Sequence, residues 1–195
     1  MEFIFGSSAS LAAQISSGAP IDIFLSAGRD AVEVAGYDRE AAIGIASTRA
    51  AIWVSQYSKD TFTNLAGLIA NQSARIGLCA SGAPCGSLAD LVLENAGHTR
   101  DEFVDTESTN ADDLLLKVRF GELDAAIGFA SACAATTEIT CIDIPMTENG
   151  KPLNSRTDYL GTILNQTTDA RAVFGVVTGE KFIKTLIDTY GFEAL

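Results

Sequence analysis

Histidine, tryptophan and positive charge are scarce in this chain. His98 is the only histidine and Trp53 the only tryptophan. A single imidazole makes a histidine-centred catalytic triad or a histidine-built metal site hard to assemble. His98 follows Gly97 and reads as a surface loop residue. Lys and Arg number 13 against 25 Asp and Glu, a formal net charge of −12. That balance argues against nucleic acid, which needs a basic footprint, and against an anionic membrane surface. Its plainest meaning is solubility. No run of about 18 apolar residues exists to cross a membrane. Met1 leads straight into a predicted strand, so no leader segment is expected within this sequence, which is read as a mature form or as starting internally. No Walker A or dinucleotide glycine pattern occurs. Gly128-Phe-Ala-Ser-Ala132 only superficially suggests a nucleophile elbow, since the second glycine is missing.

What the chain does have is enough apolar residue, 47%, to build a real core in one large domain or two small lobes. Its four cysteines, Cys79, Cys85, Cys133 and Cys141, admit three pairings. Their clustering favours the local loops 79/85 and 133/141. Four buried free thiols are the other reading. The absence of Cys-x-x-Cys and of a histidine partner argues against zinc, and the even count suits an oxidising envelope compartment.

Strand and helix signals alternate. Strands are expected near 2–5, 21–25, 50–55, 75–79, 102–105, 124–128, 140–143 and 158–165, with helical periodicity between them. The clearest helices are 8–17, stopped by Gly18 and Pro20; 86–96, closed by Gly97; 110–120, with Asp112 and Asp113 in its first turn and Lys117 and Arg119 in its last; and 180–190, closed by Gly191. The stretch 146–157 is the most loop-like. Alternation of this kind implies an α/β fold with largely parallel sheets flanked by helices.

The opening block is the most informative. A short apolar strand runs into Gly6, serines stand where a helix should begin, and a Gly18-Ala-Pro20 stop precedes a second apolar strand. A helix start facing a loop is a ready anion site, because its first N–H groups are unpaired and its dipole end is positive. Phe5-Gly-Ser-Ser-Ala-Ser-Leu-Ala-Ala-Gln-Ile15, followed by Gly18-Ala-Pro-Ile-Asp-Ile-Phe-Leu-Ser-Ala27, resembles the molybdate-binding proteins of ABC transporters. These are two-lobed type II periplasmic binding proteins that take molybdate or tungstate. Ala83-Pro-Cys-Gly86 is similar to that family's Val-Pro-Ala-Gly loop, Ala126-Ile-Gly-Phe129 to its Gly-Ile-Val-Tyr strand end, and Tyr190-Gly-Phe192 to its C-terminal Tyr-Gly-Phe.

The resemblance implies one discontinuous lobe from 1–48 and 159–195 and a second from 49–158, with an oxyanion held between them and no chemistry performed. It implies a periplasmic or extracellular location, delivery to an ABC transporter permease, no cofactor and no direct metal ligand. Family members carry a further strand, loop and helix before the point where this chain starts, so an N-terminally truncated first lobe is expected. Self-association through that incomplete sheet is a further expectation. Oxyanion contacts are implied at Ser8 (hydroxyl and N–H), Cys85 (N–H), Ala111 (N–H) and Phe129. The family has a tyrosine at this last position, so its hydroxyl is lost here. Ser7 is an additional candidate. Read without the resemblance, Ser7, Ser8 and Ser10 are helix caps, Cys85 is a small apolar residue or a disulfide partner of Cys79, and Thr109 or Asn110 caps the helix that Ala111 begins.

Losing two donors, the tyrosine hydroxyl and the anion-binding serine that the family's earlier loop supplies, each worth roughly 1.5–3 kcal/mol to a charged group, would weaken binding by two or more decades at about 1.4 kcal/mol per decade. The departures favour two alternatives: a sensor or orphan interaction module, and a binder of sulfate or phosphate. A serine hydrolase built on Ser8 or Ser131 would need a base that the sequence does not offer.

Overall fold

A computed structural model describes residues 1–102 and 104–195. In chain order the elements are α1 (Ser8–Ser16), β1 (Ile23–Ala27), α2 (Asp30–Val34), β2 (Ile43–Ser55), α3 (Leu65–Ala70), β3 (Ile76–Cys79) and α4 (Pro84–Asn95). A single 3-10 turn at Arg100–Glu102 precedes β4 (Thr106–Ser108), α5 (Ala111–Arg119), β5 (Ala125–Phe129), α6 (Ala132–Ala135) and β6 (Ile139–Asp143). The chain ends with β7 (Thr147–Glu148), β8 (Lys151–Pro152), β9 (Arg156–Ile163), α7 (Thr168–Val177) and α8 (Glu180–Tyr190). It divides into two compact units, Met1–Thr48 with Thr157–Leu195, and Arg49–Arg156.

In the first unit β1 pairs antiparallel with β9, Leu25 opposite Gly161. Phe24 packs with Ala12 and Ile15 of α1 and with Ala31 and Ala35 around α2. On β9, Gly161 leaves room for the Phe174 ring of α7. The C-terminal Glu193 bridges Ser47 of β2. Gly191 closes α8 in the left-handed region, φ 66°, where a side chain would be strained.

In the second unit the strands are mixed. β4 and β5 both run parallel to β3, whereas β5 and β6 run antiparallel to β2. The interior is apolar, with Trp53, Ile52, Ile76, Leu78, Leu93, Leu114 and Ile127 all fully buried. Disulfides join Cys79 to Cys85 and Cys133 to Cys141.

Three local expectations differ from the structure. Residues 2–5 form no strand, and Phe3, Ile4 and Phe5 are exposed; an apolar stretch without a neighbouring ladder gains no strand hydrogen bonds. The strand expected at 102–105 lies later, at Thr106–Ser108, because Asp105 is spent on the entry to β3: its N–H donates to the Ile76 carbonyl and its carboxylate accepts from the Ile76 N–H. Phe103 lies outside the described residues. The stretch 146–157 contains the small β7–β8 hairpin, turned by Asn149 and Gly150 at φ 51° and 76°, the residue pair that a type I′ turn favours.

Candidate functional site

Three of the five residues implied to contact an oxyanion belong to the second unit. Because β3, β4 and β5 are mutually parallel in their pairings with β3, their C-terminal ends share one sheet edge. α4 follows β3 and α5 follows β4, so both helix starts lie beyond that edge, where open α/β sheets bind ligands. The structure thus gathers Cys85, Ala111 and Phe129 on one side of the sheet. Ser7 and Ser8 belong to the first unit.

Each helix start leaves particular amides unpaired. In α4, the Ala83 N–H donates to the Ala80 carbonyl, Pro84 has no N–H, and Gly86 and Ser87 both donate to the Ala83 carbonyl. Cys85 therefore carries the one first-turn amide with no acceptor among the described residues. The loop that presents it is tightly held. The Ala80 N–H donates to Ser108 O at 2.8 Å and the Ser87 hydroxyl to Ser81 O at 2.8 Å. Gly86 lies so close that a Cβ would overlap the Ala80 carbonyl, so only glycine fits. Arg100 completes the fastening. Its guanidinium donates to Asp90 of α4 at 2.8 Å, to the Cys79 carbonyl at 3.2 Å, and to Glu107 of β4. Burial alone would lower the Arg100 pKa, but the two carboxylates outweigh it and raise it.

In α5, Asn110 is the N-cap, and its Oδ1 accepts from the Asp113 N–H at 2.8 Å. Ala111 and Asp112 keep amides without acceptors among the described residues. Two carboxylates in this turn would repel an anion. One is neutralised: Lys117 Nζ lies 3.0 Å from Asp113 Oδ2 and 3.0 Å from Ser108 Oγ. The hydrogen bond from Lys117 holds the Asp113 carboxyl below its ordinary range. Phe129 ends β5 and is buried, with its carbonyl accepting from Trp53 Nε1 at 3.1 Å. Gly128 leaves the space that the Trp53 indole occupies.

In the first unit the serines take different roles. Ser7 is the N-cap of α1, its Oγ accepting from the Ser10 N–H at 3.2 Å. Ser8 is buried, and its Oγ accepts from the Ala27 N–H at the end of β1, 2.9 Å away. A hydroxyl that accepts this way keeps its own proton for an outgoing bond. No acceptor for it, or for the Ser8 and Ala9 amides, is found among the described residues.

Arg100 and Lys117 carry no sequence signal of a site. The Asp113–Lys117 spacing of four on a helix face is the one signal that could have marked Lys117's ion pair. His98 Nδ1 contacts Glu102 Oε2 at 2.8 Å beside a cavity of about 330 Å³ lined by Ala66, Ile69, Ala70 and Gln72. None of the predicted site residues lies there. Among the described residues no cluster of His, Cys, Asp and Glu could hold a metal ion, and no helix is long and apolar enough to cross a membrane.

Comparison with known proteins agrees in kind. The family model described as bacterial extracellular solute-binding protein matches residues 1–186. The molybdate-binding protein ModA of Mycobacterium tuberculosis is 27% identical over 149 residues, 74% of this chain and 56% of that protein. The chain therefore spans little more than half the length of that curated relative. Among solved structures, the periplasmic molybdate-binding protein of Azotobacter vinelandii superimposes with a TM-score of 0.77 at 20% identity, covering 97% of this chain and 85% of that one. The sulfate-binding protein SubI of Mycobacterium tuberculosis gives 0.75 at 12% identity, covering 97% and 74%. At these identities the structural likenesses speak for the fold.

Proposed function

The chain belongs to the bacterial extracellular solute-binding proteins, and from that membership we propose that it captures a tetrahedral oxyanion, molybdate or tungstate, outside the cytoplasm. It delivers the anion to an ABC transporter permease and performs no chemistry on it. The observation that carries this reading is the pattern of unpaired donors. The Cys85 amide is the one first-turn N–H of α4 without an acceptor among the described residues, and the Ala111 amide and the Ser8 amide and hydroxyl are likewise uncommitted there. Neutral dipoles at helix starts suit a dianion that must be stripped of water and later released. The molybdate-binding relative names the anion to try first. Two disulfides suit an oxidising compartment.

One observation favours a second reading. Phe129 brings a buried ring and no hydroxyl to the end of β5, so the donor set differs from the one the resemblance implies. Sulfate or phosphate is then an alternative anion, and a sensor without transported ligand an alternative role. Thermal unfolding with molybdate, tungstate, sulfate and phosphate separates these. Molybdate and tungstate are expected to stabilise, by about 2.7 kcal/mol at a hundred times Kd. Stabilisation by sulfate or phosphate alone reassigns the anion, and no response to millimolar oxyanion favours the sensor.

A further inference from the structure

We infer that the Cys79–Cys85 disulfide is a positioning element for the oxyanion site, setting the aim of the Cys85 amide; this rests on the oxyanion reading above. The bond joins the last residue of β3 to the second residue of α4. Cys85 is the residue that carries the first-turn amide of α4 without an acceptor among the described residues, so the crosslink fixes the donor residue itself and not a neighbour. Its anchor is fastened: Cys79 is fully buried, and its carbonyl is held by Arg100, which Asp90 and Glu107 hold in turn. Pro84 adds a fixed φ just before the donor, and Gly86 lies against the Ala80 carbonyl just after it. An amide contributes fully to an anion only when it already points at it, because any reorientation on binding costs affinity.

The second disulfide supplies an internal control. Cys133–Cys141 closes a loop of similar length, 8 residues apart against 6, but joins α6 to β6, and the Cys133 amide is itself spent on the Ala130 carbonyl. Removing either pair costs similar loop-closure stabilisation. Only removal of the first should change anion affinity.

The test is calorimetric titration of molybdate, tungstate and sulfate into the wild-type protein, the Cys79→Ala/Cys85→Ala protein and the Cys133→Ala/Cys141→Ala protein, with thermal unfolding of each. The first pair is expected to raise Kd about tenfold, the loss of most of one well-aimed charge-assisted hydrogen bond. The second pair should leave Kd within about twofold at a similar loss of stability. As a second arm, the Cys133→Ala/Cys141→Ala protein is reduced in its folded state. A dithiol passes two electrons and two protons to the remaining disulfide, yielding two thiols and a cyclic disulfide. Affinity should fall on reduction and return on reoxidation, which a merely stabilising crosslink in a still-folded protein would not produce. Wild-type binding that is unchanged by loss of Cys79–Cys85, or weakened equally by loss of either disulfide, overturns the positioning role alone. Absence of binding by the wild-type protein to any of the three anions overturns the oxyanion reading and this inference together.

Discussion

Ser7 and Ser8 are adjacent, chemically identical and committed to different tasks. Ser7 caps α1 through the Ser10 amide, while Ser8 reaches the Ala27 amide 19 residues away. Replacing Ser7 by alanine removes a cap and should cost about 1 kcal/mol, with the anion affinity intact. Ser8→Ala leaves the buried Ala27 N–H without its acceptor, which should cost about 1–3 kcal/mol, and it also removes a donor from the proposed site. Urea unfolding and molybdate titration of the two variants should therefore diverge: both less stable, only Ser8→Ala binding at least about tenfold more weakly. The sequence showed a serine-rich helix start with three eligible caps. It could not assign the roles, because what distinguishes Ser8 is a strand end brought to it by the fold. The same holds for Cys85, where the motif marked the position but its status as the residual first-turn donor depends on the bonds of Ala83, Gly86 and Ser87.

Elements with strong local rules were legible, and short ones were not. The helices expected at 8–17, 110–120 and 180–190 appear at Ser8–Ser16, Ala111–Arg119 and Glu180–Tyr190, and the one expected at 86–96 starts two residues earlier at Pro84, a residue suited to the first turn. α2 and α3 span five and six residues, too few for a helical period to show. Strand pairing is partly written in side chains that propensity ignores. At the start of the β3–β5 parallel pair, Arg75 donates from its N–H and Nε to Asp124 Oδ2, both at 2.9 Å, and from Nη2 to Oδ1 at 3.0 Å, while the Asp124 N–H returns to the Arg75 carbonyl. The hydrogen bond from Arg75 holds the Asp124 carboxyl below its ordinary value. A carboxylate with a depressed folded-state pKa stabilises above the unfolded-state value, about 3.9, and that contribution is lost as pH falls through the folded value. Asp124→Asn should thus be less stable than wild type at neutral pH, with the gap closing as pH falls below about 4. Denaturant unfolding across that range checks it. Asp113 and Glu102 are shifted in the same direction, so the acid limb should shrink in the variant and not vanish.

At the scale of the whole chain, composition says little about where the units divide, because the step from Thr48 to Arg49 falls inside one continuous strand, β2. Charge says more. A chain of net charge −12 binding a dianion, as proposed, would do so against its own long-range field, and the proposed site draws its attraction from short-range dipoles. A site built on exposed Lys and Arg would weaken as salt screens it. Here Lys117 of α5 is already paired with Asp113, and the donors proposed for the anion that are uncommitted among the described residues are amides and a hydroxyl. Raising salt from about 10 mM to about 100 mM shortens the screening length from about 30 to about 10 Å. That change suppresses the repulsion from distant carboxylates while leaving hydrogen bonds of about 3 Å untouched. Molybdate affinity should accordingly stay level or tighten by up to about threefold over that range, and the association rate should rise. Calorimetry and stopped-flow measurements in sodium chloride would read this, with the Trp53 indole on the Phe129 carbonyl as an intrinsic probe. A loss of affinity of about tenfold would place a cationic side chain in contact with the anion and remove the neutral-dipole mechanism.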